Sequence, residues 1–397
     1  MGAPVFASAL STDPDSDAAL DQVARGVLSG LASQGPDLLA VFVSHHHGPA
    51  IETLGPRLAA ATGARVVIGC TGESIVGTTQ EVERGAALAA WGGILPGTEL
   101  RPFVVRAAGK DEESLEFSRL PDVRDPARAS VLLFADPYTF PMGEYLDLLN
   151  RKLPGVPVVG GMASGGSGPG QNLLLTGEGV VDSGAVGVVV EGDVEVVSVV
   201  SQGCRPVGKP WVITTCKDNL IQKLGGRPAL QVLMETLSGT TAEDRALLQR
   251  QPFLGLAIDP SKSAFERGDF LVRGLVGIEP QQEAIAVADN ALRVGQTVQF
   301  LVRDAASAGE DLLHLMRERA AGRLPDPSAQ GALVFTCNGR GTRMFQAPNH
   351  DIGCIQAAFE KAVPASGFFA MGEIGPVGGR NFLHGFTASV AVFRPRR

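Results

Sequence analysis

The sequence predicts an α/β protein of repeated β-α-β units in mixed, largely parallel sheets, with a partly antiparallel insertion in the C-terminal half. Two observations carry this. A strand-like run entering a glycine loop occurs three times, as "VVIGCTGESIVG" (66–77), "PVVGGMASGG" (157–166) and "GFFAMGEIGPVGG" (367–379). Each follows an apolar strand and a helix-period segment, and each precedes a further apolar run. Repetition on this scale reports architecture before function, and a strand–helix–strand unit implies a right-handed crossover between parallel strands.

The elements follow in order. In the first unit "LLAVFVSHHHG" is a buried strand entering a loop, "AIETLGPRLAAATG" a helix stopped by Gly63, and "ARVVIGCTGESIVG" the second strand with its glycine loop. The second unit runs "ASVLLFADPYTF", then the helix "EYLDLLNRKLPG" stopped by Pro154 and Gly155, then "VPVVGGMASGG". The third runs "GALVFTCNGRG", then the helix "IGCIQAAFEKAVP", then "GFFAMGEIGPVGG". Further strands close each unit: "GAALAAW", "GAVGVVVEG" and "FTASVAVF". Between the second and third units, "FLVRGLVGIEPQQEAIAVADNALRVGQTVQFLVRDA" reads as short strands broken by turns, antiparallel in pattern. A helix over "SAGEDLLHLMRERAAG", stopped by Gly322, and the turn-rich "GRLPDPSAQG" lead to the third unit. Two domains are expected, 1–205 and 206–397, with strands free to cross the junction.

Composition narrows the function classes. A net charge of -8 over 397 residues argues against nucleic acid, which needs a basic face, and against anionic membranes. No apolar run approaches membrane-spanning length, and the basic n-region of a signal peptide is missing from the start. Five scattered cysteines without a C-x-x-C pair suit a reduced, cytoplasmic protein. Walker, dinucleotide and nucleophile-elbow motifs are absent, so no cofactor is expected.

The phrases "SQGCRPVG", "GGRPALQVL", "LVRGLVGIEP", "FTCNGRG" and "GFFAMGEIGPVGG" together resemble the FIST (F-box and intracellular signal transduction) proteins, in which FIST N and FIST C domains occur in tandem. The resemblance runs from "FASALS" to "VAVF". It implies a sensory module for small molecules such as amino acids. With no room for a kinase, cyclase or F-box domain, the chain is expected to stand alone, signal through a separate partner, and pair as a homodimer if a sheet edge is exposed.

Candidate ligand residues lie at the glycine corners, because ligands of open α/β sheets gather at strand C-termini. Glu73 and Glu373, after Gly72 and Gly372, either meet a ligand cation or cap backbone amides. Gly375 completes the third loop, while Gly161 and Ser164 hold the place in the second. In "CNGRG", Cys337, Asn338, Gly339, Arg340 and Gly341 follow a buried strand. Arg340 offers a fork for a carboxylate or phosphate, or else ties two loops together; with Glu373 it would hold both ends of an amino acid. Arg205 reads as a weaker anion contact or a structural ion pair, and His384 as a loop orienter or cavity residue. The alternative is an enzyme with Cys337 or Cys70 as nucleophile, or Glu373 as acid/base. His45 and His47 of "HHH" would share a strand face, but further ligands, from His350, Asp351 or His384, would have to be brought in by folding, and no metal is expected.

Overall fold

Each of the three strand–helix–strand repeats forms the central parallel pair of its own six-stranded sheet. This computed structural model describes residues 2–109, 114–262, 265, 268–289, 292–318, 330–359 and 361–396. Leu38–Ser44 pairs in parallel with Val66–Gly72, Ala129–Ala135 with Val158–Met162, and Gly331–Cys337 with Ala365–Ala370. The crossover helices are Ile51–Thr62, Met142–Lys152 and His350–Gln356. Gly63 ends the first of them in the left-handed region, at φ 70°.

The third helix is shorter than its apolar periodicity suggests. Gln356 accepts from Val363 N at 2.9 Å and donates to Val363 O at 2.8 Å. That amide clamp turns the chain towards its strand and leaves 357–359 outside the helix. The expected stop at Gly322 lies outside the described residues.

Around each parallel pair the sheets repeat one plan. An antiparallel strand lies beside the first parallel strand: Leu88–Ile94, Ala185–Gly192 or Ala388–Pro395. Outside it lies Val5–Ser11, Thr98–Val105 or Val194–Ser201. On the other flank sits a hairpin that belongs to a different repeat. The hairpin after the first glycine loop, Ile75–Val76 with Glu81–Val82, pairs with the third repeat's Ala365–Ala370. The one after the second, Leu174–Thr176 with Gly179–Val181, pairs with the first repeat's Val66–Gly72. The third, Glu373–Val377 with Arg380–His384, pairs with the second repeat's Val158–Met162. The three glycine loops are therefore crossings at which each repeat hands a hairpin to a neighbour.

One glycine per repeat is imposed by this geometry. A Cβ on Gly69 would stand 1.8 Å from Val41 O, on Gly160 1.9 Å from Leu133 O, and on Gly367 1.8 Å from Val334 O. Only a hydrogen fits there. Between the sheets, Phe42, Phe134 and Phe335 occupy the same place in each first parallel strand. Their ring centroids lie 5.5 Å (Phe42 to Phe134), 5.5 Å (Phe134 to Phe335) and 6.3 Å (Phe42 to Phe335) apart. Phe368 joins them from the third repeat, 5.3 Å from Phe42. Its counterpart in the second repeat is Gly161, where a Cβ would press on Phe368 at 3.1 Å. Fully buried aromatic contacts of this kind contribute beyond their burial alone.

The chain divides into two compact units, 1–200 with 312–397, and 201–311. All three repeats belong to the first, whereas the sequence reading cuts the chain once, at 205. In the second unit, Cys204–Lys217, Thr297–Arg303, Phe253–Ala257, Phe270–Glu279, Ala284–Val287 and Leu220–Leu224 pair antiparallel in that order. Leu220–Leu224 returns to pair with Cys204–Lys217, closing the sheet on itself. This is the antiparallel insertion, with a core of its own around Val207, Leu254 and Phe300. Among the described residues no helix is long and apolar enough to cross a membrane.

Alanine at Gly69, Gly160 or Gly367 is expected to lower stability by roughly 3 kcal/mol or more, because backbone rather than a side chain must yield. Gly143→Ala, in a helix where nothing lies within 4 Å of the place a Cβ would take, should instead gain about 0.5–1 kcal/mol. Urea denaturation of the four variants checks both signs; equal stability across the set would disprove the crossing constraint.

Candidate functional site

Loops of all three repeats meet at the C-terminal ends of the parallel strands. From the first repeat, His45 Nε2–H donates to Ser164 O of the second at 3.0 Å. Ser164 Oγ accepts from Glu73 N at 2.8 Å and donates to Phe369 O of the third repeat. Glu73 is gripped through both carboxylate oxygens by Arg343, which also donates to Asn338 O at 2.9 Å. The Glu73 side chain is 34% exposed and that of Arg343 59%. Arg343 is aimed by its turn: Glu83 accepts from Thr342 N at 2.9 Å and from its hydroxyl at 2.6 Å. Gly341, at φ 59°, has no room for a Cβ beside the Glu83 carboxylate. His45–Ala50 is a short 3-10 turn rather than a strand. His45 and His47 consequently bond different partners, His47 Nδ1 lying 3.0 Å from Ser16 Oγ.

Arg340 stands three residues from Arg343 in an opposite environment. It is fully buried and forks Asp351, Nε to Oδ2 at 2.6 Å and Nη2 to Oδ1 at 2.8 Å. The fork expected to take a ligand carboxylate is occupied by a carboxylate of the chain. Burial would raise the Asp351 carboxyl. The Arg340 guanidinium, with hydrogen bonds from His350, Arg340 and Thr336, more than offsets this and holds it well below the usual range. His350, 3.1 Å from Asp351 and stacked on Phe345 with centroids 3.4 Å apart, is opposed by burial yet pushed up to about 9 by Asp351 and Cys354. Its Nε2 lies 3.9 Å from Cys354 Sγ. Cys354, His350 and Asp351 thus line up as thiol, imidazole and carboxylate. Glu81, on the handed-over hairpin, accepts from Ile352 N at 2.8 Å. Burial first, then the Asp351 charge, push its pKa up to about 7.

The remaining candidates fall into three places. Glu373 is fully buried, and Oε2 accepts from Thr387 N at 3.0 Å and from its hydroxyl at 2.7 Å. It sits opposite Gly161, where the other two hairpins place Ile75 against Phe368 and Leu174 against Cys70. The shared Gly-Glu dipeptide of the first and third phrases is therefore two residues out of structural register. His384 is also buried and donates from Nε2 to Gly375 O at 3.0 Å. Gly72, Gly372 and Gly375 are each packed too closely for a Cβ, against Phe368, Leu383 and Val200 respectively. Arg205, in the second unit, bridges Asp244 and Asp304 as a structural ion pair.

Cys70 is buried in a strand and burial raises its thiol pKa. Cys337, by contrast, is half-buried at a strand end, with Gly339 N–H directed at its sulfur from 3.5 Å.

Sequence reasoning missed Arg343 and Glu83. The signal was present in "RGTR": two arginines three apart cannot share one environment at the end of a buried strand, and only one was weighed.

Comparison with known proteins bears on the whole chain. The FIST N domain family model matches residues 37–227 and the FIST C domain model residues 229–376. An uncharacterized protein of Mycobacterium bovis, Mb0898c, is 41% identical over 384 residues, covering 96% of this chain and 97% of its own. Uncharacterized protein Rv0628c of Mycobacterium tuberculosis is 41% identical over 386 residues, covering 97% and 98%.

Two outcomes follow from these environments. Glu81 holds its proton to about pH 7 when folded against an ordinary 4.5, so stability should fall as pH rises between those values. His350, held to about 9 against 6.5, should extend the fall to about pH 9. Glu81→Gln, which removes the repulsion from Asp351, should stabilise by about 1–3 kcal/mol at pH 8 and not at pH 4; thermal melts across this range read both, and a flat difference between the two proteins would refute the assignment. Alkylation by iodoacetamide, followed by mass spectrometry, should mark Cys337 well before Cys70.

Proposed function

The chain belongs to the FIST family, whose domains are associated with sensory signal transduction, and on that premise we propose that it senses a free amino acid or a related small anionic metabolite at the three-repeat corner and signals through a separate partner. The observation that carries this is the half-exposed Glu73–Arg343 pair. An exposed ion pair contributes about 0–1 kcal/mol, so a ligand that replaces it meets little resistance. Breaking a buried pair such as Arg340–Asp351 costs about 3–5 kcal/mol. Arg343 and Glu73 are thus the available charges, and Arg340 is the fixed one.

A zwitterion satisfies both groups at once. Its carboxylate takes the Arg343 fork and its ammonium takes Glu73, so the charges of the pair are exchanged rather than stranded. Asn338, Ser164 and the glycine-lined backbone of Gly72 and Gly339 would form the rim. Binding that separates Glu73 from Arg343 also frees the Gly341–Arg343 turn to move, a local change a partner protein can read.

A thermal-shift screen of amino acids and keto acids tests the reading. A ligand at a hundred times its Kd should add about 2.7 kcal/mol. Arg343→Ala and Glu73→Gln should each abolish the response while melting close to the parent. Arg340→Ala should melt well below it. A response that survives both Arg343→Ala and Glu73→Gln, or no response across the panel, would remove the corner as the sensing site.

A further inference from the structure

A groove of about 880 Å³ opens between the first and second sheets, away from the glycine corners. Its floor is apolar, from Val66, Ile68, Val104 and Val186, and Arg65, Arg106 and Arg119 line it against the single acidic side chain of Glu178. At the corresponding seam between the third and first sheets, two donors close the gap: Trp91 Nε1 to Pro364 O at 3.1 Å and Ser8 Oγ to Ala365 O at 2.6 Å. Trp91 also stacks on Phe6 at 5.1 Å and meets Phe393 in a tilted contact at 4.6 Å.

Ser8 faces Trp91 across its strand pair, and in the next repeat Pro102 faces Val188. Trp91 lies opposite Ala40 and Val188 opposite Leu132, each two residues before the shared phenylalanine. The second repeat has therefore exchanged a tryptophan for a valine and a hydroxyl donor for a proline. Neither replacement can donate a hydrogen bond. Both the plug and its hydrogen bonds are missing, and the volume lies within the range of small-molecule sites.

We propose that this groove binds a small amphipathic anion, with an apolar chain or ring lying in the unplugged seam and an acidic head group met by Arg106 and Arg119. Arg65 already holds Asp37 at 2.9 Å. Among the described residues neither Arg106 nor Arg119 has an ion pair, so their charge is available to an occupant. This site is separate from the corner where the amino acid is placed.

The probe is decanoate, read by its displacement of the fluorescent anion 1-anilinonaphthalene-8-sulfonate from the full folded chain. Decanoate should displace the dye, and decanol at the same concentration should displace it far less. Arg106→Glu with Arg119→Glu, both at exposed positions, should weaken decanoate at least tenfold, while Arg343→Ala should leave it unchanged. Equal displacement by decanol, wild-type affinity in the double charge reversal, or loss of binding in Arg343→Ala would each overturn the proposal. Failure of the amino-acid screen would leave this result untouched.

Discussion

Everything in the first unit depends on the close approach of two backbones at one glycine per repeat. Gly69, Gly160 and Gly367 point a Cα hydrogen at a neighbouring carbonyl where a Cβ would overlap it. Each lies within the paired stretch of the second parallel strand that receives another repeat's hairpin. The interlocking of the hairpins then binds the sheets to one another by main-chain hydrogen bonds rather than by side-chain packing alone. Cores held this way tolerate local divergence of side chains, because register is set by backbone pairing.

That tolerance lets the repeats differ where chemistry is added. At one equivalent hairpin position the chain carries Ile75, Leu174 and Glu373, all buried. Two preserve apolar packing, and the third, bonded to Thr387, ties the last repeat's own loop together. At the ends of the first parallel strands stand Ser44, Asp136 and Cys337, each two residues past the shared phenylalanine. Ser44 and Asp136 have internal partners, Ala87 N and the Asn172 and Thr139 side chains. Cys337 is half-buried, with Gly339 N–H directed at its sulfur from 3.5 Å.

The repeats were legible in the sequence because strand, helix and glycine loop recur in the same order, and all three crossovers, their closing strands and the antiparallel insertion fall where periodicity places them. What the sequence conceals is exchange. Nothing in "GESIVG" says that Ile75 pairs with Phe368 rather than with its own repeat, since a two-residue strand carries no partner information. The same limit hid which arginine is buried and which is exposed. Arg340 and Arg343 both follow a glycine-flanked strand end and differ only in what surrounds them, a buried Asp351 for one and an exposed Glu73 for the other. Long-range electrostatics of this kind appears only when residues 270 apart in sequence are brought together.

The contrast between the two arginines also bears on how a signal could leave the corner. Arg340 fixes the base of the turn through Asp351, and Glu81, accepting from Ile352 N, ties the third repeat's helix to the hairpin handed over by the first. Arg343 is held only by groups at the rim. A ligand that takes Arg343 from Glu73 therefore meets a rigid floor and a movable edge. On the proposed reading, displacement would be confined to the turn at Gly341–Arg343 and to the Glu83 contact that anchors it to the first repeat. A partner would read that edge rather than a rearrangement of sheets, because the sheets are locked at their glycine crossings and the rim is not.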